Sequence, residues 1–429
     1  MKTRVTLISI GMLSLFSRFM DSGAAGDAPG SPASAAQAVN ALGLELLAKG
    51  TAPNVNALLS PYSIQTALAM TYAGSEGKTR AEMAEVLHYA GDEAALHQSF
   101  AALAKGLEEV AARTAERAAL AKRRGGPSEP IMLTVANRLF GQEGYEFRPP
   151  FLALLKDTYR APLQSMDFAS KHAEAAEEIN AWVEEKTQNR IRDLIPPDGL
   201  SQDTRLVLVN AIYLKAPWAA EFPASLTKPS AFYIGGSQRQ DVPTMTRQGR
   251  LGYSQRDGFS VVTIPYTGDE VQLLVLLPDK TNGLAALEAK LTPKLLASCA
   301  NPDLGEVLLH LPKFRIEPPL FRLSKVLQAL GMKSAFDQPR GSANFERMAP
   351  RKPNDYLCVS EVFHKTFLAL DERGTEAAAA TAVAMMRATA AMIEQPKPVE
   401  VRVDHPFLFA VQHRASGACL FLGRVTDPR

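Results

Sequence analysis

The sequence is poor in the residues that build metal, redox and nucleophilic sites. Its three cysteines, Cys299, Cys358 and Cys419, are widely spaced and odd in number, so they cannot all pair, and no CxxC motif occurs. The seven histidines show no HExxH spacing. GxSxG elbows, phosphate-binding glycine loops and GxGxxG turns are also missing. We therefore expect no catalytic residues, no metal and no cofactor, and the chain is predicted not to be an enzyme.

An excess of charge of either sign is missing as well. The 429 residues include 47 basic and 45 acidic side chains, and removing residues 1–24 leaves a formally neutral chain. Such a chain has no electrostatic footprint for nucleic acid. We interpret one basic cluster as a solvated helix end, whose cations suit the helix dipole; the alternative is a site for a polyanion. The cluster consists of Arg113, Arg117, Lys122, Arg123 and Arg124.

Long hydrophobic runs are absent too, so no membrane span is expected. The apolar run 5–16 is too short to cross a bilayer, but Lys2 and Arg4 precede it and small residues follow at 22–25. This order is typical of a secretory signal peptide, predicted here over residues 1–24. We expect a secreted protein, extracellular or periplasmic, and a flexible N-terminal segment over 25–36. The alternative is an untidy amphipathic tail.

What is present is a helical first half and a strand-rich second half. Helical spacing recurs over 35–49, after Ser60-Pro61, and over 103–124 and 173–191. From Arg205 onward, apolar runs separated by turn residues indicate strands. No βαβ alternation and no repeat occurs. The pattern predicts a single α+β domain over 37–429.

The segment 374–392 is unusual because it is rich in alanine and nearly without charge. Read with a period of two, Thr375, Ala377, Ala379, Thr381 and Val383 fall on one face, and all are small and uncharged. Such a segment could enter a crowded sheet as an additional strand, which indicates an element with two states. An Ala-rich surface helix or linker is the alternative.

The run 372–381 (ERGTEAAAAT) resembles the hinge of the serpins, the serine protease inhibitor family. Further blocks resemble serpin blocks in serpin order, and together they cover essentially the whole chain after the leader. These blocks are 56–64 (NALLSPYSI), 135–140 (VANRLF), 179–195, 208–218 (LVNAIYLKAPW), 311–316 (LPKFRI), 359–365 (VSEVFHK), 405–409 (HPFLF) and 423–428.

The resemblance implies a serpin fold of three β-sheets and eight to nine helices, with an exposed reactive-centre loop at about 372–398. It implies a monomeric suicide-substrate inhibitor of serine-type endopeptidases, and it allows a cysteine protease as a further target. The cleaved loop would insert into the main sheet and trap the protease as an acyl complex. The alternative is a non-inhibitory serpin that acts as a binding or chaperone-like protein; the small residues and the lack of proline over 374–392 favour the inhibitor.

The resemblance also assigns roles to residues. The family count from Glu372 makes Ala388–Thr389 the reactive bond, which suits an elastase-like protease; Arg387–Ala388 is the alternative and suits a trypsin-like one. Thr375 is expected to turn inward when the loop enters the sheet. The hinge residues are Glu372, Gly374, Thr375, Glu376, Ala377, Ala379 and Thr381. Residues matching the polar cluster beneath the main sheet, where strands part, are Ser60, Ser63, Asn210 and His364, and Trp218 matches a tryptophan near the loop's point of entry.

Overall fold

The computed structural model describes residues 30–124, 129–376 and 397–429. Several sequence predictions therefore lie outside the described residues. They are the signal peptide at 1–24, the first part of the segment 25–36, and the part of the reactive-centre loop at 377–396, which includes the hinge residues Ala377, Ala379 and Thr381, the inward-face residue Val383, and the reactive-bond residues Arg387, Ala388 and Thr389.

Nine α-helices form within the described ranges, most of them in the first half of the chain as expected. Ser60 caps the second helix by accepting a hydrogen bond from the Ser63 amide, and Pro61 occupies its first turn. The first helix begins at Pro32, inside the segment expected to be flexible, because its alanines 35 and 36 are buried. The helices are α1 (Pro32–Gly50), α2 (Pro61–Ala73), α3 (Gly77–Val86), α4 (Glu93–Arg123), α5 (Pro149–Asp157), α6 (Phe168–Lys186), α7 (Leu284–Lys290), α8 (Pro293–Ser298) and α9 (Ser324–Leu330).

The strands of the described chain are hydrogen-bonded into two continuous sheets of nine and eight strands. In chain order they are β1 (Ala57–Leu59), β2 (Met132–Gln142), β3 (Gln164–Met166), β4 (Leu206–Pro217), β5 (Lys228–Ile234), β6 (Gln238–Arg256), β7 (Phe259–Pro265), β8 (Val271–Pro278), β9 (Leu304–Pro312), β10 (Phe314–Ile316), β11 (Phe321–Arg322), β12 (Glu361–Thr366), β13 (Leu368–Asp371), β14 (Gly374–Thr375), β15 (Val399–Arg402), β16 (Phe407–His413) and β17 (Cys419–Val425).

The nine-stranded sheet has the order β1-β17-β16-β8-β7-β6-β9-β15, with β5 added on β6. The long strand β6 pairs with β5 through its first residues and with β7 through its last, so it joins what would otherwise be two sheets. The eight-stranded main sheet has the order β10-β13-β14-β4-β12-β11, and β2 and β3 extend it beyond β4. The α+β class predicted from the sequence is confirmed.

Strand β4 lies in the middle of the main sheet and is covered on both faces. Its residues Val207, Val209 and Ala211 pack with α6 and Phe363 of β12. The alternate residues Leu206 and Leu208 pack on the other side, in a cluster that includes residues of the buried helix α2. This alternation follows from the period of two in a strand. A strand added beside β4 would therefore enter between two packed layers.

Candidate functional site

The hinge forms a two-residue strand that separates two neighbouring strands of the main sheet. In β14, Thr375 pairs with Leu370 of β13 on one side and with Ala216 of β4 on the other. Further along the same line, β12 pairs directly with β4 in parallel, from Glu361–Val207 to Thr366–Ile212. We call this line between β4 and β12–β13 the seam. The seam is open at its hinge end and closed along β12.

Gly374 is required where the chain turns back into the sheet. Its φ is +150°, and a Cβ atom there would lie 2.1 Å from the carbonyl oxygen of Ala216. A contact that short with backbone cannot be relieved by a side-chain movement. Any other residue at 374 would push the hinge out of the seam.

Thr375 already faces the interior of the uncut protein, which corrects the expectation that it turns inward only on loop insertion. It is 1% exposed, and its hydroxyl lies 2.6 Å from the Tyr266 hydroxyl. The Tyr266 ring stacks on Trp218, with ring centroids 4.5 Å apart and planes 8° from parallel. The reason is that β14 is already paired with both β4 and β13 in the uncut protein. Its side chains therefore alternate between the two faces of the sheet, as in any strand, and Thr375 falls on the buried face. Tyr266 was not among the predicted site residues, because a single tyrosine after a strand does not indicate which distant residue it contacts.

The turn before the hinge is fixed by backbone and side-chain contacts. The Trp218 indole donates to the Asp371 carbonyl oxygen at 3.0 Å. The Glu372 carboxylate accepts hydrogen bonds from Lys313 Nζ and Thr227 Oγ1, both at 2.8 Å. Burial alone would raise the pKa of Glu372, but these hydrogen bonds and the Lys313 charge outweigh it, so the pKa is lowered. The turn is therefore held by a charged carboxylate.

The predicted polar cluster assembles at the closed part of the seam. Ser60, Ser63, Asn210 and His364 are each at most 1% exposed. Asn137 of β2 joins them: its Oδ1 accepts from Ser63 Oγ at 2.7 Å and from Asn210 Nδ2 at 3.0 Å. Sequence analysis did not single out Asn137, although an amide inside an apolar strand was a usable signal. The cluster ties α2, β2, β4 and β12 together.

His364 is held neutral in one tautomer. Its Nε2 accepts the Ser60 backbone N–H at 3.1 Å, so the proton sits on Nδ1 and is donated to Asn210 Oδ1. Burial lowers the pKa of His364 to about 3, because a charged imidazolium would lose its hydration. This contact crosses the seam, since His364 and Asn210 are direct strand partners. The seam cannot part here without breaking it.

Trp218 is not part of that cluster. It follows the end of β4 and makes an isolated bridge with Tyr266, eight residues along the chain from Asn210 and thus roughly 25 Å away by strand rise. The structure therefore divides the predicted residues into a hinge end, with Trp218, Thr375 and Glu372, and a cluster end, with Ser60, Ser63, Asn210 and His364.

The basic cluster on α4 is partly neutralised. Arg113 lies 2.5 Å from Glu270 and 3.4 Å from Glu109, while Lys122 and Arg123 occupy the last turn of the helix. These placements support the interpretation as a solvated helix end. Within the described ranges, no group of three or more His, Cys, Asp or Glu side chains could hold a metal ion. In the same ranges, no helix is long and apolar enough to cross a membrane.

Comparison with known proteins places these features in a family context. The family model described as Serpin (serine protease inhibitor) matches residues 37–428. An uncharacterized serpin-like protein of Thermococcus kodakarensis is 35% identical, over 91% of this chain and 85% of its own length. The leukocyte elastase inhibitor of Bos taurus is also 35% identical, over 88% of this chain and 94% of its own. Among solved structures, the thermophilic serpin tengpin in the native state superposes with a TM-score of 0.77 at 26% identity, covering 92% of this chain and 94% of that one.

Proposed function

The chain belongs to the serpin family, and from that membership we propose that it is a suicide-substrate inhibitor of serine-type endopeptidases. The leukocyte elastase inhibitor among its relatives supports a protease as the partner. A non-inhibitory, binding or chaperone-like role is the second candidate, because the family name alone does not decide between them. The observation that favours inhibition is the hinge strand β14 inside the seam.

The proposed reaction begins in the loop. The protease serine Oγ attacks the carbonyl carbon of Ala388, the Ala388–Thr389 bond breaks, and the new amino terminus at Thr389 takes the proton and leaves. The protease is then an ester on Ala388. Arg387 takes that role if the target is trypsin-like. Insertion of the cleaved loop into the seam would carry the ester-linked protease along before water hydrolyses the ester.

The register of the seam supports continuous insertion from β14. At the hinge, Thr375 pairs with both Leu370 of β13 and Ala216 of β4, and these two residues are 154 positions apart in the sequence. Where β12 and β4 pair directly, the partners are also 154 positions apart, as His364 and Asn210 are. A strand that continues from β14 would therefore enter without a register slip. Continuing the same register assigns Thr381 to the position between His364 and Asn210.

The energy available is large compared with the stability of the fold. A strand of about ten residues that pairs on both sides adds on the order of ten hydrogen bonds at roughly 1 kcal/mol net each. That total is comparable to the whole stability of a typical domain. Insertion then competes with hydrolysis of the ester, and substitutions that slow it turn the inhibitor into a substrate.

The test is to incubate the protein with an elastase-like and a trypsin-like protease and to look for a covalent complex on a denaturing gel. Mass spectrometry of the released peptide identifies the cut: a peptide that begins at Thr389 supports Ala388, and one that begins at Ala388 supports Arg387. Cleavage without a complex for both proteases would instead support the non-inhibitory candidate.

A pair of variants at Thr381 tests insertion itself. Thr381→Arg would place an unpaired cation beside the His364 cluster, which costs several kcal/mol, so cleavage should continue while the complex is lost. Thr381→Val keeps the size without the charge and should still form the complex. This position is a sharper test than Thr375, because Thr375 is already buried before cleavage. A stable complex of Thr381→Arg at near-unit stoichiometry would contradict insertion.

We further propose that the chain is exported and acts as a monomer. The support for export is the leader pattern of residues 1–24, and the support for a monomer is the resemblance to the family. N-terminal sequencing of the protein from the medium or periplasm should find a start near residue 25. Gel filtration should give the mass of one chain; an intact Met1 or a dimer mass would contradict these proposals.

A further inference from the structure

Glu376 occupies an unusual position where the described hinge ends. Its backbone is left-handed, with φ of +50°, and its side chain is only 9% exposed. Its N–H donates to the Ala369 carbonyl oxygen at 2.9 Å. A buried carboxylate on strained backbone persists only where its surroundings hold it. The cause should therefore lie in its contacts.

One cation contacts the Glu376 carboxylate, and two more from other elements act on its charge from farther away. Glu376 forms an ion pair with Arg190, in the segment after α6. Lys215 of β4 and Arg315 of β10 also stabilise its charged form, whereas burial acts more strongly and raises the pKa of Glu376. A carboxylate in such a place depends on its nearest cation, because removing one partner leaves the other charge buried and unpaired.

We propose that the Arg190–Glu376 ion pair, here called the hinge clasp, holds Gly374 and Thr375 in the main sheet before cleavage, so that insertion starts from a strand that is already paired. Arg190 is then a positioning residue for inhibition. The effect of the clasp on inhibition rests on the proposed inhibitory function. The effect of the clasp on the position of the hinge in the uncut protein does not.

The place of Arg190 supports this role. Its guanidinium also lies 5.7 Å from the ring centroid of Phe367, the residue between β12 and β13 where the seam changes from closed to open. The same segment contacts β12, since Lys365 Nζ donates to the Arg192 carbonyl oxygen at 2.7 Å. The Arg190 side chain is 48% exposed, so its substitution should leave the core intact.

Hydrogen exchange of the uncut protein tests the clasp without any protease. In Arg190→Ala, the amides of Thr375 and Glu376 should exchange at least about tenfold faster, because the buried Glu376 carboxylate loses its ion-pair partner. Arg192→Ala is the matched control, because the Arg192 guanidinium bonds within its own segment, to the Asn189 carbonyl oxygen; its exchange should equal that of the wild type. Exchange of Arg190→Ala within twofold of the wild type would overturn the proposal.

Two further variants test whether the charge of Arg190, rather than the size of its side chain, protects the hinge amides. Arg190→Lys should restore most of the protection, and the exchanged pair Arg190→Glu with Glu376→Arg should protect better than either single variant. The absence of both effects would mean that no ion pair holds the hinge.

The consequence for inhibition is measured on the same proteins. Arg190→Ala should require at least about twofold more inhibitor per protease, because a released hinge delays insertion. Faster exchange with unchanged stoichiometry would overturn the role in insertion. A wild type that forms no complex at all would refute the proposed function, and the exchange result would still decide whether the clasp exists.

Discussion

The two ends of the seam differ in how they are held. At the hinge end, β4 and β13 are already separated by β14. Thr375 pairs with one residue on each neighbouring strand, and its hydroxyl contacts the Tyr266 hydroxyl. At the cluster end, β4 and β12 pair directly over six residues, and His364 and Asn210 share a hydrogen-bond network with α2. One end is prepared for a new strand and the other must be opened.

This difference locates the barrier to insertion. Strand pairs at the cluster end must separate before a new strand can replace them, and the buried polar groups lose their partners during that step. Leaving such groups unpaired costs about 1–3 kcal/mol each. We therefore expect the rate of insertion to depend on the cluster more than on the hinge.

The largest expected effect is the gain in stability on loop cleavage. Cutting within residues 383–392 should let the loop enter the seam and raise the thermal midpoint by more than about 10 °C, given on the order of 10 kcal/mol of new hydrogen bonds. Melting curves before and after limited proteolysis measure it. An unchanged midpoint would mean that the seam stays closed at the cluster end, as in a non-inhibitory protein.

Substitution in the cluster should give the next largest effect. His364→Ala removes a fully buried side chain and leaves the Ser60 N–H and Asn210 Oδ1 without partners, which should cost about 2–5 kcal/mol of unfolding free energy in the uncut protein. Urea denaturation measures the loss. A cost below about 1 kcal/mol would show that the cluster does not hold the seam.

Acid should weaken the cluster end selectively. The pKa of folded His364, about 3, lies below its ordinary value of about 6.5, so the unfolded chain takes up the proton first. The stability due to neutral His364 is complete above pH 6.5 and declines as the pH falls toward 3, by up to about 1.4 kcal/mol per unit. The slope of stability against pH should be smaller in His364→Gln; equal slopes would contradict this assignment.

The smallest effect is expected at the hinge end. Tyr266→Phe removes one hydroxyl contact with Thr375 and keeps the stack on Trp218, so it should cost about 1 kcal/mol. Urea denaturation of Tyr266→Phe and His364→Ala under the same conditions compares the two losses of unfolding free energy. If Tyr266→Phe is as costly as His364→Ala, the two ends are held equally and the barrier is not confined to the cluster.

The residues at the cluster end were more predictable than their partners at the hinge end. Ser60, Ser63, Asn210 and His364 stand in apolar or capping contexts where a polar residue is conspicuous, and the resemblance to the family assigned them a shared place. Asn137 is also conspicuous as an amide inside an apolar strand, but its partners do not follow from local sequence, because they depend on the register between β2 and β4. Register is a property of the assembled sheet rather than of either strand.

At the hinge, the period of two identified the inward face, including Thr375, but not the state of the hinge. Whether two residues are already in the sheet depends on Tyr266 and Arg190, which lie more than a hundred residues away in sequence. The α+β class followed from the order of helices and strands. The joining of two sheets by β6 did not, since it depends on which half of one strand pairs with which neighbour.

The most direct test of the account is a crystal structure of the loop-cleaved protein. In the uncut chain His364 and Asn210 are direct strand partners, and neighbouring strands lie about 4.8 Å apart. After cleavage, Thr381 should lie between them, with β12 and β4 about 10 Å apart. A cleaved structure in which His364 still donates to Asn210 across a closed seam would contradict it.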